Sequence, residues 1–331
     1  MQNIKHILIT GGAGFIGSNL AHYLNNKNYK VTVVDDLSGG TLDNIPSGVT
    51  FYKSSICDVN KMAKMFKVEK FDYVYHLAAY AAEGLSPFIR NYNYTNNVIG
   101  TANIVNECIK NNIKKLIFTS SIAVYGSIKP PYIETDKPEP EDPYGIAKYA
   151  CELDIQQAHK MFGLDYAILR PHNVYGPRQN LADKYRNVVS IFLRGAIKNK
   201  YINIFGDGNQ IRCWTYIDDL IPQFEKCLDP KISGIYNIGA DTSNTVNELV
   251  EIVKRIYPKV KINYYPPRQE VFHAQSNHKK AIDEFGKCET PLEDGVDLFI
   301  KWIYNNEYLL NIKTKKFKNI ELLQGLPDAW K

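Results

Sequence analysis

The sequence predicts a doubly wound α/β domain built on a parallel sheet, followed by a smaller C-terminal α/β lobe that binds substrate. Three observations support this fold class. Buried-type strands alternate with helical patterns five times before residue 123. The first strand runs into a glycine-rich turn that opens a helix, and the second strand ends in a carboxylate. Together these features are typical of a Rossmann sheet that binds a dinucleotide.

The first unit, at residues 4–24, places glycines at the regular spacing Gly11, Gly14 and Gly17 between an apolar strand and a helix. A glycine in such a turn can adopt a positive φ, and the helix N-terminus offers unpaired N–H groups to an anion. The turn therefore predicts a site for the diphosphate of a dinucleotide. The cofactor-binding residues predicted here are Gly11, Gly14, Phe15, Ile16 and Gly17.

The second strand ends in two carboxylates, Asp35 and Asp36. A carboxylate about 20 residues beyond the glycines accepts hydrogen bonds from the ribose hydroxyls of NAD. It would repel the 2′-phosphate of NADP, and no Arg or Lys follows closely enough to bind that phosphate. The sequence therefore predicts NAD as the cofactor.

The third and fourth strands supply further candidate cofactor contacts. Asp58 and Val59 follow the third strand, where an acid beside an apolar residue could hold an adenine amino group. A helix N-cap is an equally good interpretation of Asp58. The fourth strand ends at His76, and the loop Tyr80–Ser86 beyond it is expected to border the substrate. Between them, the residues predicted to lie against the cofactor are Leu77, Ala78 and Ala79.

The fifth strand ends in hydroxyl side chains, and the carboxyl ends of parallel strands meet at one edge of a sheet. We therefore expect Ser121 at that edge. A proline-rich loop then leads to a helix that Pro143 starts, on which Tyr144 and Lys148 stack one turn apart. These three polar side chains form a candidate acid/base set, in which Ser121 orients a substrate hydroxyl and Tyr144 removes its proton.

A tyrosine can act as a base near neutrality only if its pKa falls by about 3 units, which corresponds to about 4 kcal/mol. Two positive charges are available for this shift: the Lys148 ammonium and an oxidised nicotinamide. Each could contribute about 3 kcal/mol at about 5 Å with an effective dielectric constant near 20. These two positive charges together are therefore sufficient to lower the pKa of the tyrosine by this amount.

Composition limits the classes of partner. The 331 residues carry 40 basic and 35 acidic side chains, and the net charge of +5 is a poor nucleic-acid signature. The six cysteines show no metal-ligand spacing, and the N-terminus has no signal-peptide pattern. No apolar run reaches the roughly 18 residues of a membrane span. These observations predict a cytoplasmic protein with reduced thiols that binds no metal, nucleic acid or membrane.

The regular alternation of strands and helices ends near residue 181, and no low-complexity linker follows. We therefore predict a dinucleotide-binding domain at residues 1–172 with a return segment near 213–240. An interlaced substrate-binding lobe occupies 173–331. A substrate would lie in the cleft between the two.

Eight motifs occur in order along the chain. They are Gly11-x-x-Gly14-x-x-Gly17, Asp35, Asp58-Val59, His76-Leu-Ala-Ala79, Asn97-Val-x-Gly-Thr101, Ser120-Ser121-x-x-Val-Tyr-Gly126, Tyr144-x-x-x-Lys148 and Arg170-Pro-x-Asn173-Val-Tyr-Gly-Pro177. By these motifs the chain resembles the extended short-chain dehydrogenase/reductases, and within them the nucleotide-sugar 4-epimerases. The resemblance covers nearly the whole chain.

The resemblance implies NAD-dependent inversion at C4 of a nucleoside-diphosphate hexose, most typically a UDP-sugar, through a transient 4-keto intermediate in a homodimer. It assigns Asn97 to the surroundings of the nicotinamide. Arg212 is implied as a diphosphate ligand, and its planar fork suits phosphate oxygens; the alternative is an ion pair with Asp218 or Asp219. The catalytic residues implied are Ser121, Tyr144 and Lys148. The substrate-binding residues implied are Ser121, Asn173, Asn187, Arg212 and Arg268.

The chain departs from the family pattern at four places. Asp36 replaces a frequent Asn, Cys213 a usual Asp and His172 a usual aromatic residue, and the element Arg268–Glu270 is one residue short. His172 either contacts substrate or is a loop histidine bonded to backbone.

Rival functions differ from this one at identifiable positions. A sugar 4,6-dehydratase needs an acid pair where this chain has Ile122 and Ala123. In the 3,5-epimerases of the family, the resemblance implies a Cys and a Lys at the positions where this chain has Ala123 and Asn187. A nucleotide-sugar 4-dehydrogenase or ketoreductase would use the same residues and stays open. An NAD(H)-sensing binding protein would be expected to lack the hydroxyl set that is present here.

Overall fold

The computed structural model describes residues 4–267, 271–313 and 317–330. The first half of the chain alternates strands and helices: β1 (His6–Thr10), α1 (Phe15–Asn26), β2 (Lys30–Asp35), β3 (Thr50–Lys53), α2 (Val59–Glu69), β4 (Tyr73–His76), α3 (Arg90–Tyr94), α4 (Gly100–Lys110), β5 (Lys115–Thr119), α5 (Pro143–Phe162) and β6 (Tyr166–Pro171). A π-helical turn, Thr95–Ile99, joins α3 to α4, so the three helical segments are nearly continuous.

The second half has shorter elements: β7 (Val174–Tyr175), α6 (Val188–Arg194), β8 (Tyr201–Phe205), β9 (Ile211–Cys213), β10 (Thr215–Tyr216), α7 (Ile217–Lys226), β11 (Gly234–Ile238), β12 (Ser243–Thr245), α8 (Val246–Ile256), β13 (Lys261–Tyr265), β14 (His273–Ala274), α9 (Lys279–Phe285) and α10 (Leu292–Asn305). Short 3₁₀ turns occur at Leu42–Asn44, Glu83–Phe88, Ile122–Val124, Glu307–Asn311 and Asp328–Trp330.

Seven strands of the described chain form one parallel sheet in the order β11-β6-β5-β4-β1-β2-β3. The order reverses between β1 and β4, and in open sheets of this kind ligands bind outside the carboxyl ends of the strands at such a reversal. The predicted doubly wound fold is confirmed.

Each face of the sheet is covered because successive side chains of a strand point to opposite sides. Ile7 and Ile9 of β1 pack in a core with Leu20 and the helix α7, whereas Leu8 packs in a second core with Ile104. The first core also contains residues of β11 and α9. The C-terminal half therefore returns to complete the sheet and to cover one of its faces.

The smaller lobe has its own apolar core, formed mainly by α6, β8, α8 and α10. Around it lie the strand pair β8 and β13 and the three-stranded sheet β12-β9-β14. Helix α8 begins at a capping box, in which Thr245 and Glu248 each bind the other's backbone N–H. Among the helices of the described ranges, none combines the length and apolar character required to cross a membrane.

The sequence predicts one continuous strand from Arg212 to Ile217, and this prediction is wrong because the strand is divided at Trp214. Strand β9 pairs with β12 and β14 in the smaller lobe, whereas β10 pairs with β7 near the central sheet. The chain therefore passes from one lobe to the other at Trp214, and α7 already begins at Ile217. Strand propensity alone does not indicate a change of pairing partner.

Candidate active site

The carboxyl ends of the central strands open into a cavity of about 920 Å³. One wall consists of the loops that follow β1, β2, β4, β5 and β6. The opposite wall consists of α6, β8 and β9 with the segment before α6. The cavity thus lies between the two lobes, where the sequence predicts a substrate.

The glycine turn leaves backbone exposed to this cavity. Gly11 has φ of 70°, and a Cβ placed on it would lie 2.7 Å from the amide nitrogen of Ala78. A Cβ on Gly17 would lie 2.3 Å from the carbonyl oxygen of Gly11. Helix α1 begins after Gly14, and among the described residues no side chain caps it. Its free N–H groups and the side-chain-free turn fit a diphosphate.

Asp35 lies at the end of β2 on the same cavity wall and is buried. Its Oδ2 accepts a hydrogen bond from Ala13 N–H at 3.1 Å, and its Oδ1 accepts one from Leu37 N–H at 2.8 Å. Burial raises the pKa of this carboxyl. The backbone bonds fix the carboxylate in one orientation, and each oxygen retains a lone pair for a ribose hydroxyl. Asp36 also lines the cavity, and its Oδ1 accepts from Ser38 N–H.

Asp58 lies at the start of α2, where its Oδ1 accepts from Lys61 N–H at 3.1 Å. This hydrogen bond is the one that the helix-cap interpretation predicts. The contact with adenine stays a prediction for both Asp58 and Val59, and Val59 is exposed. The residues that line the cavity beyond β3 are Ser54, Ser55 and Ile56. No motif in the sequence marks these three residues, although they directly follow the carboxyl end of a parallel strand.

His76 is a buried link between β4 and its neighbours. Its Nδ1 lies 2.7 Å from Thr10 Oγ1, and its Nε2 lies 2.9 Å from Thr101 Oγ1. Because Thr101 donates its proton to the carbonyl of Asn97 at 2.6 Å, Nε2 must donate to Thr101 and Nδ1 must accept from Thr10. Burial lowers the pKa of His76 to about 3, so the ring is neutral.

The three residues after His76 line the cavity, at positions where the sequence predicts contacts with the cofactor: Leu77, Ala78 and Ala79. The Asn97 side chain lies behind them and is buried. Its Oδ1 accepts from Tyr80 N–H at 2.8 Å, and its Nδ2 donates to Asn93 Oδ1 at 2.8 Å. Asn97 therefore holds the loop after β4 in place, and its contact with a nicotinamide stays a prediction.

The structure brings the predicted acid/base set together on one cavity wall. Ser121 follows β5 and caps a 3₁₀ turn, with its Oγ accepting from Ala123 N–H at 3.1 Å. Tyr144 and Lys148 lie one turn apart on α5, and the Ser121 side chain is close enough to Tyr144 to lower the pKa of its hydroxyl. All three line the cavity.

Helix α5 begins where the sequence predicts, with Pro143 as its first residue. Asp142 caps it by accepting from the N–H groups of Tyr144 at 2.8 Å and Gly145 at 3.1 Å. Ser86, from the loop after β4, donates to Asp142 at 3.1 Å and accepts from Tyr144 N–H at 3.1 Å. The loop Tyr80–Ser86 therefore braces the start of α5.

Burial sets the protonation of both α5 side chains. It raises the pKa of Tyr144 above its ordinary value, and the neighbouring Ser121 side chain opposes that shift. It lowers the pKa of Lys148 to about 8. Lys148 Nζ donates to the carbonyl of Thr119 at 2.7 Å and lies 5.9 Å from the centre of the Tyr144 ring. The protein alone thus keeps Tyr144 neutral, and a cationic nicotinamide would supply the additional positive charge.

A buried network fixes α5 against the sheet one turn further on. Glu152 accepts from Arg170 Nε at 2.9 Å, from Arg170 Nη2 at 2.5 Å and from Ser120 Oγ at 2.5 Å. Arg170 Nη1 donates to the hydroxyl of Tyr125 at 2.7 Å, which donates to Asn237 of β11 at 2.8 Å. The network ties the catalytic helix to β5, β6 and the returning strand.

The predicted substrate residues Asn173, Asn187 and Arg212 all line the cavity, Asn173 from the loop after β6 and the other two from the opposite wall. Asn173 and Asn187 have positive φ values of 43° and 63°, an uncommon conformation for residues other than glycine that often marks functional sites. Arg212 Nη1 donates to the carbonyls of Ile211 at 2.8 Å and Phe272 at 3.0 Å. Arg268 lies outside the described residues.

His172 also lines the cavity, next to Asn173. Its Nε2 lies 2.9 Å from Nε2 of His278, whose Nδ1 lies 2.8 Å from an oxygen of Asp241. The ring therefore bonds to a side chain rather than to backbone. Burial, with smaller contributions from His278 and Arg212, holds the pKa of His172 well below its ordinary value.

Two further cavity residues carried no signal in the sequence. Arg186 precedes α6 and pairs with Asp183 at 2.6 Å. Trp330 reaches the cavity from the far end of the described chain and packs on Tyr185 with ring centres 5.5 Å apart. A cluster of three or more His, Cys, Asp or Glu residues that could hold a metal is absent from the described residues.

Comparison with known proteins agrees with this geometry. A model of the "NAD dependent epimerase/dehydratase family" matches residues 7–239. The putative UDP-glucose 4-epimerase of Methanocaldococcus jannaschii is 37% identical over 306 residues, which cover 91% of this chain and 99% of the relative. The dTDP-D-glucose 4,6-dehydratase of Dictyostelium discoideum is 35% identical over 378 residues, covering 96% and 86%.

Among solved structures, a UDP-glucose 4-epimerase from Thermotoga maritima, determined with UDP-glucose, is 35% identical. It superposes with a TM-score of 0.86 and covers 91% of this chain and 99% of its own. The sequence motifs, the fold and these matches agree. The chain belongs to the NAD-dependent epimerase/dehydratase family, in the nucleotide-sugar branch of the extended short-chain dehydrogenase/reductases.

Proposed function

We propose that this protein is an NAD-dependent 4-epimerase of nucleoside-diphosphate hexoses, with a UDP-sugar as its substrate. The single observation that carries the proposal is the cavity wall on which Ser121, Tyr144 and Lys148 meet beside the glycine turn. The same cavity holds apolar side chains, Ile122 and Ala123, directly after the catalytic hydroxyl. The relatives named UDP-glucose 4-epimerase support the same reaction.

The residues of the chain divide the work of proton transfer. Tyr144, once ionised, takes the proton of the C4 hydroxyl, and Ser121, which lines the same cavity, orients that hydroxyl. Lys148 supplies positive charge on the same helix face. NAD, when bound, accepts a hydride from C4 and returns it to the resulting 4-keto sugar. Tyr144 returns the proton at the end.

Inversion requires the sugar ring to present its other face to the cofactor. Asn173, from the loop after β6, and Arg212, from β9, are the proposed anchors of the diphosphate, and both line the cavity outside helix α5. Anchoring the diphosphate there lets the sugar ring rotate about its phosphate link while the 4-keto intermediate stays in the cavity. Arg268 remains a third proposed anchor.

The cofactor contacts are part of the proposal as well. The glycine turn would hold the NAD diphosphate, and Asp35 the ribose hydroxyls of its adenosine half. Asp36, Asp58 and Val59 stay proposed contacts near the adenine, and Asn97 near the nicotinamide.

We also infer a homodimer in the cytoplasm. Helix α5 exposes apolar side chains on the surface turned away from the cavity, and an exposed apolar patch of this kind supports self-association. They are Ile146, Leu153, Met161 and Phe162. The six cysteines are free, which supports a reducing compartment. Light scattering tests the dimer.

The deciding experiment follows deuterium at C4. The purified protein is incubated with UDP-glucose deuterated at C4, and the products are followed by NMR and by absorbance of NADH. Epimerisation predicts UDP-galactose that retains deuterium at C4 with no net NADH. Stoichiometric NADH indicates a 4-dehydrogenase, whereas a 4-keto-6-deoxy product from dTDP-glucose in a parallel reaction indicates a dehydratase. A protein that binds NAD but converts neither sugar is a sensor.

A further inference from the structure

Arg186 is a cation on the cavity wall that the proposed reaction does not use. Its side chain is 15% exposed, and its Nε and Nη2 both approach Oδ2 of Asp183 at 2.6 Å. Its guanidinium carbon lies 4.8 Å from the centre of the Tyr80 ring. An ion pair on one side and an aromatic face on the other hold the guanidinium in one orientation.

The guanidinium lies close to the phosphate turn of the other lobe. A Cβ placed on Gly39 would lie 3.1 Å from Arg186 Nη2. A Cβ placed on the next residue, Gly40, would lie 2.8 Å from the amide nitrogen of Gly14, where α1 begins. The guanidinium and the N-terminus of α1 therefore lie on either side of a two-residue segment and line the same cavity.

One donor of Arg186 remains available to a ligand. Asp183 engages Nε and Nη2, and no hydrogen bond from Nη1 is found within the described residues. Among the described residues, Nη1 is not a fully buried atom without a partner. Solvent in the cavity therefore reaches it. The field of Arg186 extends further into the cavity, where it opposes the rise in the pKa of Tyr144 caused by burial.

The donors around this position suit an anion between the guanidinium and helix α1. Asp183 pairs with the single positive charge of the guanidinium and leaves Nη1 as a donor, and the α1 N-terminus opposite carries the positive end of a helix dipole. A diphosphate placed between them would accept N–H bonds from both sides. Arginine suits this role because its planar nitrogens match phosphate oxygens.

We propose that Arg186 is a diphosphate ligand that the smaller lobe contributes to the cavity. The diphosphate at the α1 N-terminus, that of the cofactor, is the nearer source. The diphosphate of the nucleotide sugar is the second source, because Asn187 is the adjacent residue. This inference rests on the proposed function only in requiring nucleotides in this cavity. It explains why the segment before α6 carries a buried arginine, which the catalytic set does not need.

The test compares Arg186→Met, which removes the charge, with Arg186→Lys, which keeps the charge and loses the fork. Arg178→Met is the matched control, because Arg178 is a partly buried arginine that donates to Asn19 of α1 without lining the cavity. All proteins are used as purified with their bound NAD. One arm measures exchange of bound NAD for labelled NAD, and the other measures Kd for UDP and for uridine by calorimetry.

Arg186→Met is expected to accelerate NAD exchange, or to raise Kd for UDP, by about 10- to 100-fold, the range of a charged hydrogen bond. Accelerated exchange identifies the cofactor as the source, and weaker UDP binding identifies the sugar nucleotide. Uridine binding should change by less than about twofold. Arg186→Lys should recover part of the loss, and Arg178→Met should match wild type in both arms.

The proposal is overturned if Arg186→Met and Arg186→Lys leave both NAD exchange and UDP binding unchanged. It is also overturned if uridine binding weakens as much as UDP binding, because the loss would then be structural. If Arg186→Met does not fold, Arg186→Lys alone decides by the same criteria. Failure of the proposed function has a different signature, namely loss of epimerisation in wild type while these binding differences persist.

Discussion

The two walls of the cavity hold their charges in different ways. On the α5 wall, Tyr144 and Lys148 lie one helical turn apart, and both are buried. On the opposite wall, Arg186 and Arg212 come from separate segments, and each is held by neighbours in its own lobe. On the first wall, a charged side chain therefore loses hydration, which costs free energy. On the second wall, neighbouring groups partly compensate the charge of the arginines before a ligand binds.

This difference separates the expected effects of mutation. Buried titratable groups on α5 should control proton transfer and the pH dependence of stability. Partnered arginines on the smaller lobe should control ligand affinity, because an anion that binds there interacts equally in the ground and transition states.

The largest effect is expected at the centre of the α5 wall. Tyr144→Phe removes the hydroxyl that transfers the proton and leaves the ring in place, so kcat should fall about 10²- to 10⁴-fold. NAD content and thermal stability should stay close to wild type. Steady-state kinetics with UDP-glucose measure the change. A variant that keeps more than about a tenth of wild-type kcat would exclude Tyr144 as the base.

The second prediction uses the buried ammonium of the same wall. The folded pKa of Lys148, about 8, lies below the 10.5 of an exposed lysine. Between these values the unfolded state binds more protons, so the stability of the cofactor-free protein should rise with pH by up to about 3 kcal/mol. Lys148→Met removes this rise and should be more stable than wild type at pH 7, where the buried charge imposes its full cost.

Urea unfolding of both cofactor-free proteins at pH 7 and pH 10 measures the difference. Other lysines and tyrosines titrate in both proteins and cancel in the comparison. Parallel stability curves for wild type and Lys148→Met would show that the ammonium is not buried in solution.

The third prediction sharpens the contrast with the opposite wall. Arg212→Ala removes a proposed diphosphate ligand, so KM for the nucleotide sugar should rise about 10- to 100-fold while kcat changes little. A matched control is Arg255→Ala, which breaks a surface ion pair with Glu293 outside the cavity. If Arg212→Ala instead lowers kcat and leaves KM unchanged, the two walls do not divide the work as proposed.

The smallest effect is expected at the cofactor end of the cavity. Wild type should strongly prefer NAD, because the buried carboxylate of Asp35 would repel a 2′-phosphate. Asp35→Ala should raise the affinity for NADP relative to NAD about tenfold, equivalent to about 1.4 kcal/mol. Calorimetry on cofactor-free protein measures both affinities. Equal binding of the two cofactors by wild type would contradict the role of Asp35.

The sequence determined the parts of the fold that depend on local patterns. The glycine turn, the start of α5 at Pro143 and the i, i+4 spacing of Tyr144 and Lys148 all follow from residues close together in the chain. The strand ends share one edge because parallel strands with right-handed crossovers leave no other arrangement. For these reasons the fold class and the meeting of Ser121 with Tyr144 could both be predicted.

Tertiary structure alone decided the rest, because the contacts concerned join distant segments with no local pattern. The break at Trp214 arises where the chain changes from one sheet to another. The Asn97 side chain lies behind the cavity because Tyr80 and Asn93 bind it there. No pattern in the sequence marks Arg186, because its position beside Gly39 depends on how the smaller lobe packs. A helix face is encoded within a few residues, whereas a wall assembled from separate lobes exists only once both lobes have packed together.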